Sequence, residues 1–158
     1  MNSAETIVKA SNSQTREYVT FFVGDMLLGT PIEEVEEINR LLDMTYVPHA
    51  PTYVRGVISL RGEVVTVMDL QTLLRLPPSS ITPTSRNVIV HWRGQRVGLV
   101  VDKIADVVKV CPDDMEPPPS NIGGADGELF VGVHKLESQL LVVMEIDRLL
   151  AGEASRSS

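Results

Sequence analysis

The fold of this chain is decided by the stretch from Tyr53 to Leu70, which reads YVRGVISLRGEVVTVMDL. Two runs rich in β-branched residues, Tyr53 to Leu60 and Val64 to Met68, flank the dipeptide Arg61-Gly62. β-Branched and aromatic residues favour strands, and a short glycine-containing break between two such runs indicates a hairpin. The stretch therefore predicts two strands joined by a tight turn.

The same pattern occurs a second time in the chain. Nine residues between Gly56 and Leu74 return as identical or similar residues between Gly132 and Leu150, at an offset of 76. Seven residues between Val19 and Ile38 return between Val88 and Val107, at an offset of 69. Internal repetition usually means that one structural unit was built twice. The sequence therefore predicts an internal duplication.

Local signals outside the first stretch predict further short strands. Tyr18 to Val23 and Met26 to Thr30 form a hairpin around Gly24-Asp25, and Arg93-Gly94 marks another hairpin tip. Ile32 to Ile38 predicts a helical turn after Pro31 that passes into a strand. Each half ends in a short amphipathic helix, at Asp69 to Leu76 and at Glu145 to Leu150.

Many short, closely spaced strands indicate small barrels or sandwiches, so we expect an all-β protein with short helices and two small barrels packed together. We expect the two halves to pack against each other, because a half of about 60 residues buries only about 60% of its unfolded surface. The expected division is a flexible tail at 1–16, a first half at 17–76, a linker rich in Pro, Ser and Thr at 77–86, a second half at 87–150 and a flexible tail at 151–158.

Composition excludes several functional classes. A net charge of -7 and 4% aromatic residues argue against nucleic acid as a partner. No apolar run reaches the roughly 20 residues of a membrane helix, and Met1 to Arg16 has no signal-like apolar core, so we expect a cytoplasmic protein. Cys111 is the single cysteine, which excludes an intramolecular disulfide. His49, His91 and His134 lack metal-ligand spacing, and no nucleophile elbow or phosphate loop occurs. We therefore expect no enzyme, no metal and no cofactor.

The stretch from Val47 to Leu70 resembles the chemotaxis coupling-protein family (CheW-like). The resemblance spans roughly Glu17 to Leu150, and its other matching residues are Phe22, Gly24-Asp25, Ile32, Val35, Glu37-Ile38, Val97 to Asp102 and Gly132-Val133. It implies two small five-stranded barrels with a shared apolar core, and strands that can be exchanged between the halves. It also implies an adaptor that links the cytoplasmic tip of a methyl-accepting chemoreceptor to the regulatory domain of a histidine kinase.

The resemblance further implies roles for particular residues. Val35, Gly56 and Arg61 match the receptor-binding region, and Glu37 matches a position implicated in kinase coupling. Ser59 belongs to the same receptor-binding edge, where the family usually has Asn. Two further departures are Thr66, where Pro is usual, and Leu28, where an aromatic residue is common.

Each of these residues also has a structural interpretation. Arg61 could be a solvated turn tip, but the second half carries Glu137-Ser138 at that register, and arginine is enriched at binding hot spots. Gly56 could serve the backbone alone. Glu37 could pair locally within its acidic run. Two other functions stay open at this point. One is a barrel that binds nucleic acid or oligosaccharide, and the other is a detached regulatory domain of a kinase or a fusion adaptor.

Overall fold

The structure is a computed structural model that describes residues 15–41 and 43–157. Most of the expected N-terminal tail, residues 1–14, lies outside the described residues, whereas Arg16 already belongs to the first strand. The strands are β1 (Arg16–Val23), β2 (Met26–Pro31), β3 (Val35–Arg40), β4 (Val54–Leu60), β5 (Glu63–Asp69), β6 (Arg86–Trp92), β7 (Gln95–Val101), β8 (Lys103–Val110), β9 (Asn121–Ile122), β10 (Ala125–Asp126), β11 (Phe130–Lys135) and β12 (Leu140–Met144). The helices are α1 (Leu70–Leu73) and α2 (Ile146–Ser157).

The strands form two five-stranded sheets and a two-stranded ribbon. Sheet one has the order β11-β12-β2-β1-β8, and sheet two has the order β3-β6-β7-β5-β4. Strands β9 and β10 pair with each other. Two five-stranded units with short helices confirm the predicted all-β class, and complete closure of each sheet into a barrel stays a prediction.

The hairpins predicted from local sequence are confirmed. Val23 pairs with Met26 around Gly24-Asp25, Leu60 with Glu63 around Arg61-Gly62, and Trp92 with Gln95 around Arg93-Gly94. The segment after Pro31 is also as predicted, because a 3-10 turn at Ile32–Glu34 leads directly into β3. These elements follow from signals only a few residues apart in the chain.

Neither sheet is built from one half of the sequence. Sheet one takes β1 and β2 from residues 17–76 but β8, β11 and β12 from residues 87–150. Sheet two takes β3, β4 and β5 from the first half and β6 and β7 from the second. The division of the sequence at 77–86 is therefore not a division between the sheets.

The strand exchange involves equivalent positions of the two repeats. In sheet two, β5 lies parallel to β7 with Val67 beside Gly98, and in sheet one, β12 lies parallel to β2 with Val143 beside Gly29. Val143 is the repeat equivalent of Val67, and Gly29 is that of Gly98. Each parallel pair thus joins one strand of each half at equivalent positions, so the two halves cross over symmetrically.

A shared apolar core holds the two sheets together. Alternate residues of a strand point to opposite faces of the sheet, and one face of each sheet supplies this core. Its buried members include Phe21 and Leu28 of sheet one, Val88 and Leu99 of sheet two, and Leu149 of α2. A second cluster lies on the other face of sheet one and contains Tyr18, Leu27, Val110, Leu141 and Val143. The predicted core between the two units is therefore confirmed.

The two helices differ from the expected lengths. Helix α1 is shorter than predicted, because Leu74 caps it and Arg75 has a positive φ of 64°. Helix α2 continues through Ser157, so the chain from 151 to 157 is helical where we expected a flexible tail. The buried residues Ile146, Leu149 and Leu150 anchor its first turns, and the following sequence AGEAS contains good helix formers.

Asp69 ties the linker segment to the end of sheet two. Its carboxylate accepts hydrogen bonds from the N–H of Gln71 at 3.2 Å and the hydroxyl of Thr72 at 3.1 Å, which caps α1. It also accepts from the N–H and the hydroxyl of Ser79 at 3.0 and 2.8 Å, and Arg55 Nη1 lies 3.7 Å away. The side chain is only 1% exposed, so these partners replace the water that it has lost.

Candidate functional site

Arg61 occupies the tip of the hairpin between β4 and β5. Leu60 pairs with Glu63, which leaves a two-residue turn with φ of 51° at Arg61 and 83° at Gly62. Positive φ at both central positions is the pattern of a type I′ turn, whose twist matches that of the flanking strands. The arginine side chain is 63% exposed, and a Cβ at Gly62 would meet nothing within 4 Å. The turn therefore presents a cation to the surroundings.

The structure brings together the two charged residues that the sequence assigned to different partners. Arg61 Nη1 lies 2.6 Å from Glu37 Oε1 on β3. The Asn39 side-chain amide donates a further hydrogen bond to Glu37 Oε2 at 3.0 Å. The pKa of Glu37 lies below its ordinary value, mainly because of the hydrogen bond from Arg61 and secondly because of the one from Asn39. Both hydrogen bonds favour the charged carboxylate, so Glu37 and Arg61 form an ion pair.

A β-bulge explains why two consecutive acidic residues, Glu36 and Glu37, reach the same cation, Arg61. Val35 pairs with Val90 and Glu37 pairs with Ile89, which leaves Glu36 as an extra residue on β3. Such an insertion breaks the alternation of side chains between the faces of a sheet. Glu36 Oε2 accordingly lies 3.8 Å from Arg61 Nη1, close to the contact that Glu37 makes.

Glu36 also belongs to a row of charges across sheet two. Its Oε2 accepts a hydrogen bond from Arg96 Nη1 at 3.0 Å, and its Oε1 lies 2.9 Å from His91 Nε2. Arg96 also donates through Nη2 to Glu63 on β5. The Glu63 and Glu36 hydrogen bonds raise the pKa of Arg96, so its charge is secure. The row thus links β3, β6, β7 and β5 next to the Arg61 turn.

Our sequence interpretation missed most of this row. It considered only Glu37 of the acidic run and judged His91 only as a metal ligand, and it did not single out Glu36, Glu63 or Arg96. A signal was available for one pair, because a two-residue turn at Arg93-Gly94 puts His91 opposite Arg96. The contact with Glu36 depends on β3 pairing with β6, which has no local signal.

Val35 lies on β3 and Gly56 lies on β4, and neither residue is exposed. Val35 is half-buried and packs against the shared core. Gly56 is buried, and a Cβ on it would lie 2.6 Å from the backbone oxygen of Thr45. Thr45 in turn exchanges two 2.9 Å hydrogen bonds with Val57. The structure therefore places Val35 and Gly56 as supports of β3 and β4, and it shows no open side-chain surface at Gly56.

Replacing Gly56 with alanine is expected to lower the free energy of unfolding by about 1.5 kcal/mol, because the new methyl group must push the Thr45 segment away from β4. Urea denaturation measures this change. Gly56 has a φ of 156° and Gly62 one of 83°. The Gly62→Ala variant therefore controls for the strain of a side chain at positive φ, since a methyl group there meets no neighbour. Unchanged stability of Gly56→Ala together with weaker partner binding would instead show that Gly56 acts only at an interface.

The three departures from the family pattern have different surroundings. Ser59 is exposed on β4 and lines a cleft of about 500 Å³ together with Asn39 and Ile58. Thr66 is half-buried on β5 and lines a cleft of about 590 Å³ on the Glu36 side. Leu28 is completely buried in the shared core. Ser59 and Thr66 can therefore change what a partner meets, whereas Leu28 changes internal packing.

Arg61→Ala is expected to raise the pKa of Glu37 from its depressed native value towards the ordinary 4.5. Because the native pKa is lowered, the stabilising effect of the pair is present above pH 4.5 and is lost as the pH falls through the native value. Carbon-13 NMR titration of the Glu37 carboxyl group measures the midpoint.

The control for this titration is Arg93→Ala in the other type I′ turn. Arg93 Nε lies 3.0 Å from Asp147 Oδ1. The hydrogen bond from Trp92 is the larger cause of the lowered pKa of Asp147, and the hydrogen bond from Arg93 is the second. Arg93→Ala should therefore shift the titration of Asp147 and leave that of Glu37 in place. A Glu37 midpoint that does not move in Arg61→Ala would contradict the pairing.

Within the described residues, no set of three His, Cys, Asp or Glu side chains is arranged to hold a metal ion. The same part of the chain contains no helix that is both long and apolar enough to cross a membrane. The candidate site is the exposed charged surface built by Arg61, Glu37 and Glu36 on the strands of sheet two. Complementary charges on such surfaces contribute to the specificity of protein–protein binding.

The fold is a duplicated β fold whose two halves exchange strands. Its exposed charged surface is of the kind that binds other proteins. The CheW-like domain matches residues 17–154, and the chain belongs to that family. Similar proteins include the probable chemotaxis protein CheW of Rhizobium etli, 31% identical over 96% of this chain and 97% of the relative. The chemotaxis protein CheW of Rhizobium meliloti is 34% identical over 87% of this chain and 89% of the relative.

A solved structure has the same fold. The scaffolding protein TtCheW from Thermoanaerobacter tengcongensis aligns with a TM-score of 0.78 and 27% sequence identity. The alignment covers 86% of this chain and 88% of that protein. Both the overall architecture and the family membership that the sequence indicated are therefore confirmed.

Proposed function

We propose that this chain is a non-enzymatic adaptor that couples the cytoplasmic tip of a methyl-accepting chemoreceptor to a chemotaxis-type histidine kinase. The observation that supports it best is the exposed Arg61 at a type I′ turn, held by Glu37, in a chain whose relatives are named chemotaxis and scaffolding proteins. An adaptor of this kind works in the cytoplasm, where receptor tips and kinases meet.

The receptor-binding surface in this proposal contains Arg61 and Ser59, with Val35 and Gly56 supporting the strands beneath them. Arg61 uses Nη1 for Glu37, and the guanidinium group has further donors on its fork that can engage receptor carbonyl or carboxylate groups. Glu37 is the kinase-coupling residue. Because the two charges touch, a change at either one alters the other, which gives a direct physical route between the two partners.

Coupling requires that the affinity for one partner depends on the state of the other. The test is reconstitution of receptor, kinase and this chain, with kinase autophosphorylation measured with and without a receptor ligand. We expect the ligand to change kinase activity only when the chain is present. Kinase activity that is indifferent to the chain would overturn the proposal.

A further inference from the structure

Arg61 has two carboxylates within reach of the same nitrogen. Nη1 lies 2.6 Å from Glu37 Oε1 and 3.8 Å from Glu36 Oε2. Coulomb attraction varies only inversely with distance, so a small movement of the exposed Arg61 side chain could exchange one carboxylate for the other. Which carboxylate holds Arg61 then depends on what else holds Glu36.

Arg96 is the residue placed to decide this competition. It is only 16% exposed, whereas Arg61 is 63% exposed, so Arg96 is the more fixed of the two cations. It donates to Glu36 on one side and to Glu63 on the other, which anchors its guanidinium group between β3 and β5. His91 occupies the second oxygen of Glu36.

We propose that Arg96 is a positioning residue for the receptor-binding arginine: by holding Glu36, it keeps Arg61 on Glu37 with its remaining donors facing outward. This inference rests on the proposed function, in which Arg61 contacts the receptor. It assigns a role in partner recognition to a residue of the second half, which reaches the site through β7.

The chemistry of arginine suits this role. A planar guanidinium group can serve two carboxylates at once through its separate nitrogens, whereas a lysine ammonium is a single point charge. Without Arg96, Glu36 keeps the Arg61 guanidinium and the His91 imidazole as side-chain neighbours among the described residues. Glu36 would then draw Arg61 towards the bulge and away from Glu37.

The first test is the crystal structure of the Arg96→Gln variant, which needs no partner. We expect Arg61 Nη1 to lie closer to Glu36 than to Glu37 in that variant. An Arg61 that stays on Glu37 would overturn the inference. If Arg96→Gln does not fold, as judged by circular dichroism, Arg96→Met provides the same test, because it keeps an apolar stem of similar length and removes every donor to Glu36.

The second test is a double-mutant cycle on binding to the cytoplasmic fragment of the chemoreceptor. Arg96→Gln should weaken binding about fivefold when Glu36 is present, the upper end for an exposed ion pair, and less than about twofold in the Glu36→Gln background. Equal losses of receptor affinity with and without Glu36 would show that Arg96 does not act through Glu36. If the receptor fragment does not bind the unmodified chain, the proposed function fails, whereas normal binding by Arg61→Ala removes only Arg61 from the receptor surface. In either case the crystal structure still decides the inference about Arg96.

Discussion

Replacing Asp69 with alanine is expected to lower the free energy of unfolding by about 3 kcal/mol, which is typical of breaking a buried charged network. The carboxylate is 1% exposed and accepts four hydrogen bonds, from Gln71, Thr72 and both the N–H and the hydroxyl of Ser79. Its removal takes the shared acceptor away from these donors and the carboxylate away from Arg55, which keeps only a 3.4 Å hydrogen bond to the Ser79 carbonyl among the contacts of this network. The cap of α1 and the attachment of the linker are lost together.

Urea denaturation followed by circular dichroism measures this effect. Asp69→Asn should lower the free energy of unfolding by less than Asp69→Ala does, because the amide keeps one oxygen acceptor and a similar volume. The Asp147→Ala variant is the matched control, since Asp147 is an exposed aspartate near the start of α2 with two surface partners, Trp92 and Arg93. A loss from Asp69→Ala no larger than that from Asp147→Ala would contradict the assignment of Asp69 as the anchor.

The elements that the sequence predicted well are those with local causes. Each predicted hairpin depends on a turn dipeptide between two β-prone runs, and the positive φ values at Arg61-Gly62 and Arg93-Gly94 show that these turns follow that rule. The 3-10 turn after Pro31 is equally local. The end of α2 was placed too early because apolar periodicity stops at Leu150, although good helix formers continue.

The strand exchange could not be worked out from the residues alone. A duplicated sequence is compatible with two self-contained halves or with halves that trade strands, because either arrangement buries the same apolar positions. The deciding contacts, Val67 beside Gly98 and Val143 beside Gly29, join residues far apart in the chain. The resemblance to the coupling-protein family allowed the exchange, and the sheet order shows that it occurs.

The candidate site was only partly predictable for the same reason. Arg61 stands out because the second half lacks it, and the family resemblance points to Glu37. Their contact at 2.6 Å requires the bulge at Glu36 and the approach of β3 to the β4–β5 turn, and neither has a sequence signal. Gly56 was chosen as a possible interface residue, and its burial against Thr45 shows how backbone packing can produce the same sequence pattern.

Replacing Arg61 with alanine is expected to weaken binding to the receptor's cytoplasmic fragment about thirtyfold, or about 2 kcal/mol, the size of a hot-spot loss. The side chain is exposed, oriented by Glu37 and placed on a type I′ turn, so little ordering is needed when it binds. The fold should be preserved because the side chain contributes to no apolar core. Isothermal titration calorimetry measures the affinity.

The chain supplies its own control for this prediction in the turn at Arg93-Gly94. Arg93 has a φ of 50° against 51° for Arg61, and 58% of its side chain is exposed, so alanine meets the same backbone strain and removes a similar charge. Arg93 is hydrogen-bonded to Asp147, which does not belong to the Arg61–Glu37 pair. Any loss shared by Arg61→Ala and Arg93→Ala therefore reports turn strain or net charge, and only the excess loss at Arg61 reports receptor contact. Equal affinities for the two variants would remove Arg61 from the receptor surface and leave its contact with Glu37 as a purely structural ion pair.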